Sequence, residues 1–291
     1  VWNIEKFQNV LGDKEESALW EKIFNLKKEG NFSDEATRQK TGANILYLNI
    51  PLSEWADKLD MSHEELTEKW EIVRKRLFED RNKRIHPFKD DKILTDWNGL
   101  MIAAFALGAR ILDKSEYAET AKNAVKFILT NMCKNSLCLK ETHGHLLHRF
   151  REGEAGIFAY ADDYAFLIWG LIELYKTTSD MSYLEYALML QEKMISDYWD
   201  NEKGGFFLTA KDKEKELPVR PKELYDGAIP SANSVSFMNM LRLAKITGDI
   251  KWENKASELA RSFSGTVSSS PSLYTYFLAG ADMAIYPGQR S

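Results

Sequence analysis

The sequence predicts an all-α fold, an α/α toroid, on three observations. Nearly uninterrupted apolar segments recur at 97–112, 161–177, 231–247 and 273–285, and the first three open on polar clusters. Amphipathic segments at 115–131, 180–197 and 250–265 follow the first three of them across short loops. The register of those partners also repeats: Tyr117-Ala121-Val125-Ile128 matches Tyr183-Ala187-Leu190-Met194 and then Trp252-Ala256-Leu259-Phe263, at spacings of 66 and 69 residues, which is a structural repeat. A helix apolar on nearly every side must have protein around it. A row of such helices buries itself by facing a common axis, with the amphipathic helices as a solvated outer layer. The run at 97–112 is too short to span a membrane, and Asp113, Lys114 and Glu116 follow it closely. Residues 1–291 are expected to form one such domain, with irregular structure and outer helices in 1–87 and the repeated hairpins in 88–291.

In chain order, Trp2, Ile4, Phe7, Val10 and Leu11 mark a short amphipathic helix that Gly12 stops. A second runs from Asp13 to Leu26, and 31–44 is polar and irregular. Ile45-Leu46-Tyr47-Leu48 is a brief β-like run closed by Pro51. Ser53 is expected to cap a helix over Glu54–Leu59, and Ser62-His63-Glu64-Glu65 is a capping-box pattern for a helix to about Asp80. Its basic set (Arg74, Lys75, Arg76, Arg81, Lys83, Arg84) is read as solvated helix surface rather than an anion site. Asp96 or Asn98 can cap the first inner helix. Leu137-Cys138-Leu139 and Gly144–Phe150 are expected to pair as a hairpin with Thr142-His143-Gly144 in the turn, and Phe206–Thr209 is read as a short strand.

A net charge of -5 and 29% charged residues carry no basic nucleic-acid footprint. Glycine-rich phosphate loops, nucleophile elbows and zinc spacings are lacking. Two cysteines five apart, Cys133 and Cys138, are read as reduced thiols. No secretory signal or transmembrane segment is recognised, and a cytoplasmic location without a membrane partner is expected.

Because the loops before the inner helices are long and polar, binding chemistry is expected at that end. Asp96, Asp162 and Asp163 stand there, in one register with Asn98, Tyr164 and Asn233. Helix capping accounts for such residues; convergent carboxylates would also serve glycosidic-bond chemistry, as acid and as base or nucleophile. A second cluster holds His143, His145, His148, Arg149 and Arg151. Its spacing is weak for metal, while a histidine pair could move a proton beside a sugar carbonyl. The third holds Arg220, Lys222, Glu223, Tyr225 and Asp226. The catalytic candidates are therefore Asp163, Asp226, Glu223 and His148. Substrate-binding candidates are Asp96, Trp97, Asn98, Arg149, Asp162, Tyr164, Arg220, Tyr225 and Asn233. No metal and no cofactor are expected.

The segment Lys89–Ala104, with Asp96-Trp97-Asn98-Gly99, resembles a hallmark of the YyaL-like, spermatogenesis-associated protein 20 family. So do Asp162-Asp163-Tyr164-Ala165-Phe166-Leu167-Ile168 and Tyr225-Asp226-Gly227-Ala228-Ile229-Pro230-Ser231-Ala232-Asn233-Ser234. Val1-Trp2, Glu29-Gly30-Asn31-Phe32 and Asn44-Ile45-Leu46 extend the likeness along the chain, with Ala232 departing from a common glycine. The resemblance implies a six-hairpin glycosidase-like toroid, similar to N-acylglucosamine 2-epimerase-like proteins, preceded by a thioredoxin-like domain. This chain is then expected to be a fragment with an incomplete ring, partnering that domain. The implied functions are a carbohydrate-active site, hydrolase-like or epimerase-like, with a sugar or glycoside ligand, or a non-catalytic binding or scaffold module.

Overall fold

The computed structural model describes residues 1–133, 145–211 and 219–286. The chain divides into two compact units, Val1–Lys89 and Asp90–Ser291. No helix among the described residues is long and apolar enough to cross a membrane.

The first unit holds α1 (Ile4–Leu11), α2 (Lys14–Ile23), α3 (Leu52–Lys58) and α4 (His63–Asn82). Asn3, Asp13 and Ser62 cap α1, α2 and α4 by accepting the amides of Lys6, Glu16 and Glu65; Gly12 ends α1 at a positive φ of 74°. The helix start of α3 departs from expectation. It begins at Leu52 after Pro51, without a side-chain cap, because proline already fixes the backbone at that point. Phe7, Leu11, Trp20, Ile23, Leu66 and Val73 form the core. The run at 45–48 is not a strand. The Asn31 carboxamide pairs with the amide and carbonyl of Ile45, and the side chains of Ile45, Tyr47 and Leu48 are exposed. The basic face of α4 is engaged within its own unit: Arg76 pairs with Glu16 at 2.9 Å, and Arg84 lies 3.8 Å from the Trp2 ring.

In the second unit the repeat becomes three helical hairpins and a further inner helix. These are α5 (Thr95–Leu112) with α6 (Ser115–Asn131), α7 (Ala161–Thr178) with α8 (Met181–Tyr198), and α9 (Ala232–Thr247) with α10 (Ile250–Ser269), followed by α11 (Thr275–Ile285). Successive inner helices α5, α7, α9 and α11 are neighbours and each paired outer helix packs on its own inner one. This is an open arc of a six-hairpin α/α toroid. Ala165, Phe166, Leu167, Ile168, Leu171, Val235 and Met240 are completely inaccessible, as helices with protein on all sides require. Helix α5 is a partial exception: Trp97, Met101, Leu107, Ile111 and Leu112 are exposed, because its buried stripe faces one inner neighbour.

That stripe includes Gly99. A Cβ there would lie 2.5 Å from the Phe166 carbonyl carbon, and one on Gly170 would lie 2.9 Å from the Gly99 carbonyl oxygen. The backbones of α5 and α7 therefore touch, and only glycine fits at the crossing.

A three-stranded antiparallel sheet, ordered β1 (Ile93–Leu94), β2 (Leu147–Arg151), β3 (Glu154–Phe158), leads into α5 and α7. Both edges of β2 are taken, by β1 and by β3; the hairpin expected between 137–139 and 144–150 turns on residues outside the described ones. The turn between β2 and β3 is Glu152-Gly153, both at positive φ, the left-handed conformation a two-residue hairpin needs. Residues 137–139 and His143 lie outside the described residues. Phe206 makes a single bridge to Trp199 rather than a strand. Cys133, at the end of α6, is disulfide-bonded, against the expected free thiols; its five-residue spacing from Cys138 permits a bridge, and Cys138 lies outside the described residues.

Candidate functional site

The N-termini of α5 and α7 are joined by one carboxylate. Asp163 is fully buried. Its Oδ1 accepts the Asp96 amide at 2.9 Å and its Oδ2 accepts the Tyr160 amide at 2.7 Å. His148 on β2 presents Nδ1 to both oxygens at 3.0 Å. The expected cap of α5 by its own Asp96 or Asn98 is thus replaced. The helix begins at Thr95 without a local side-chain cap, and Asp163, 67 residues away in sequence, takes the Asp96 amide. Asp96 instead accepts the Trp97 amide at 2.7 Å, and Asn98 donates to the Leu94 carbonyl.

Asp162 and Asp163 are adjacent on α7 yet differ in environment. Asp163 has spent both oxygens. Asp162, partly buried, stands among like charges. Burial first, then the charges of Glu223, Asp163 and Asp96, push its carboxyl up to about 7, while the Ala232 amide offsets part of this. Asp96 is also raised, chiefly by burial and then by the Asp163 charge. His148 is raised above the usual histidine range by its hydrogen bond to Asp163, supported by the charges of Asp163, Asp96 and Asp162. Several titratable groups raised together by burial and by one another's charges are a recurrent feature of catalytic sites. Asp96, His148 and Asp163 also offer one ligand atom each within 4.8 Å. His148 Nδ1 already bonds both Asp163 oxygens, so an ion held through those atoms would have to displace that pair.

The Asp162 shift has a signed consequence for stability. Its unfolded value is near 3.8 and its folded value is about 7. Its contribution is complete at pH below 3.8 and is lost as pH rises through 7. Asp162→Asn removes that loss, so the variant is expected to gain about 4 kcal/mol over wild type at pH 8 relative to pH 4. Urea unfolding at the two pH values measures it; an equal difference at both contradicts the assignment.

The other expected site residues fall into two groups. Trp97 and Tyr225 are exposed, each at 62%, and Glu223 is exposed beside Asp162. The remaining ones are committed to the framework. Both oxygens of Asp226 are occupied: Oδ1 accepts the Ser231 amide, and Oδ2 accepts those of Tyr276 and Phe277 at the start of α11. Asn233 is buried and bonds Phe206 in both directions and the Glu223 carbonyl. It occupies the second position of its helix, as Asp96 and Asp162 do in theirs. Tyr164 is buried against Tyr198 with ring centroids 5.3 Å apart. Arg220 stacks on Phe207 at 4.1 Å and donates to the Thr209 carbonyl. Lys222 pairs with Asp200 at 2.7 Å. Arg149 alternates away from His148 along β2, pairs with Leu94 and Gly156 in register and keeps a buried Nε without a partner. His145 packs edge-on against Phe158. Tyr160, which the sequence offers with Trp97, Tyr164 and Tyr225 as an aromatic that could stack on a sugar, meets Asp163 through its amide and His148 through its ring.

No protein-family model matches the chain. Over 91% of this chain and 35% of its own length, human spermatogenesis-associated protein 20 is 31% identical. The chain is homologous to the spermatogenesis-associated protein 20 family. A homologue in Caenorhabditis elegans, an uncharacterised protein, is 28% identical over 93% of this chain and 38% of its own length. The chain thus spans little more than a third of the curated relatives it matches. Among solved structures, the GH76 α-mannanase BT2949 of Bacteroides thetaiotaomicron superposes with a TM-score of 0.53 at 15% identity, covering 82% of this chain and 68% of that one. At that identity the likeness is one of fold: both chains are built on helical-hairpin toroids.

Proposed function

We propose that the mouth formed by the N-termini of α5 and α7 is a carbohydrate-active, glycoside hydrolase-like site. The observation that carries this reading is the pairing of Asp162, a carboxyl held partly protonated near neutral pH, with the exposed carboxylate of Glu223 beside it. In this reading Asp162 delivers its proton to the glycosidic oxygen as the bond to the anomeric carbon breaks. Glu223 takes the proton of the entering water, or attacks first and is then released by water. Asp163 touches no ligand; it orients His148 and favours its charged form, and the His148 charge offsets part of the burial that raises Asp96. Trp97 and Tyr225 offer exposed rings on which a sugar can stack. Asp226, Asn233 and Tyr164 act through the framework, by fixing the helices that carry the mouth.

A second histidine is what epimerisation beside a carbonyl would require. Among the described residues His148 is the one histidine bonded to the carboxylates, and epimerisation by a histidine pair is the alternative reading of the same mouth. The test is a screen of the 291-residue chain, alone and with the expected thioredoxin-like partner, against α- and β-linked glycosides. Turnover is expected, with a fall of about 10³-fold or more in Asp162→Asn. If no glycoside is turned over or bound in either preparation, the reading fails and the mouth serves as a non-catalytic binding or scaffold surface.

A further inference from the structure

A second cluster of charges lies on the inner helices, away from the carboxylate mouth. Helix α7 carries Glu173, whose side chain is only 6% exposed. Arg110 of α5 reaches it at 3.0 Å and Lys176 at 3.6 Å. Arg242 of α9 lies over the Trp169 ring at 5.3 Å, and the same ring meets Tyr276 of α11 at 5.4 Å. Four inner helices therefore contribute three cations, one carboxylate and a phenol to one place. The local balance is strongly positive.

Two of these groups have only each other. Arg242 Nη1 and the Tyr276 hydroxyl are both buried, the guanidinium faces the phenol, and neither atom reaches a well-formed hydrogen bond or any carboxylate or carbonyl acceptor. Protein interiors leave such donors unpaired rarely, and a guanidinium nitrogen is among the costliest to strand. The nearest carboxylates are already engaged. Glu173 is shared by Arg110 and Lys176, and Asp226 accepts three backbone amides. Lys176 and Arg110 keep 37% and 38% of their side chains in contact with solvent, so the cluster has an open rim above a buried floor. The crowding of cations agrees with this: Lys176 is pushed down by burial and then by the charges of Arg242 and Arg110.

We infer that Arg242, Tyr276 and Lys176 form an oxyanion-binding site, suited to a carboxylate or phosphate group of a small molecule. Arg242 donates from Nη1, Tyr276 from its hydroxyl, and Lys176 closes from the rim. Trp169 fixes the guanidinium plane by stacking. This site is independent of the hydrolytic reading of the mouth.

Isothermal titration of the 291-residue chain with inorganic phosphate and, separately, acetate, at matched ionic strength, tests it. Saturable binding of at least one anion is expected. Arg242→Leu is expected to weaken it by about tenfold or more, and Tyr276→Phe, which keeps the ring on Trp169, by about threefold. Lys245→Ala, an exposed cation elsewhere on α9, is expected to leave it unchanged. Phosphate without acetate identifies a phosphoryl ligand, and both together a general carboxylate or phosphate pocket; either supports the site. Should Arg242→Leu not fold, Tyr276→Phe alone decides. Absence of saturable binding by either anion, or equal binding in wild type and Tyr276→Phe, overturns the inference.

Discussion

Gly99→Ala is expected to destabilise the second unit by about 3 kcal/mol, read by urea unfolding followed by far-UV circular dichroism. The reason is purely steric. The added methyl would sit 2.5 Å from the Phe166 carbonyl carbon and 2.6 Å from the Leu167 nitrogen. Both are backbone atoms inside a helix, and neither can swing aside as a side-chain tip can. Relief requires α5 and α7 to separate, which loosens the packing of Ile102 and Ala103 against α7 and shifts Asp96 relative to Asp163. Gly170→Ala meets the same crossing from the other helix, through the Gly99 carbonyl oxygen and Ile102. The two costs should therefore be less than additive, since helices already parted by one methyl accommodate the second. A loss below about 0.5 kcal/mol in Gly99→Ala, within the range of an ordinary surface change, would contradict the contact.

Asp163→Ala is expected to cost about 3–5 kcal/mol, the range for removing one member of a buried charged pair. Three groups lose their acceptor at once: the amides of Asp96 and Tyr160, and His148 Nδ1. The pH dependence separates the histidine from the amides. His148 is raised in the folded chain from an ordinary value of 6.5. Its contribution is therefore complete below pH 6.5 and is lost as pH rises through the folded value. In wild type, stability from this pair should fall with pH above 6.5. In Asp163→Ala that component should vanish, while the loss of the two amide bonds persists at every pH. Unfolding curves between pH 5.5 and 9 for both proteins check this, and an unchanged slope in the variant would falsify the His148–Asp163 coupling.

The helices of the second unit were largely legible because their signals are local. Ser115–Asn131 follows from an apolar stripe between a polar turn and Asn131, and α7 and α9 from runs too apolar for any surface. The carboxylates were legible as a set, since each stands in the first turn after a long polar loop. Their division of labour was not. Nothing in Asp162-Asp163 says which residue turns inward, and the answer depends on the Asp96 amide and on His148, brought in from distant positions. The same limit explains β2: its partner β3 carried no strand expectation, because Arg151-Glu152-Gly153-Glu154 is a turn only once both central residues adopt positive φ. Asp226 and Asn233 were legible as polar residues before a buried helix, but their consumption by backbone groups is a property of the folded loop. Arg242 and Glu173 did leave a signal. A charge inside an otherwise apolar inner helix must be paired or serve a ligand.

The protonation of Asp162 is the point on which the mouth's chemistry turns, and it can be measured without knowing a substrate. Carbon-detected NMR of the aspartate carboxyl groups, assigned with Asp162→Asn, follows that titration in the 291-residue chain. A midpoint of about 7 is expected for Asp162, and Glu223→Gln should lower it by removing the leading neighbouring charge. A midpoint near 3.8, unmoved by Glu223→Gln, would mean that Asp162 is an ordinary solvated carboxylate and that the proposed acid does not exist.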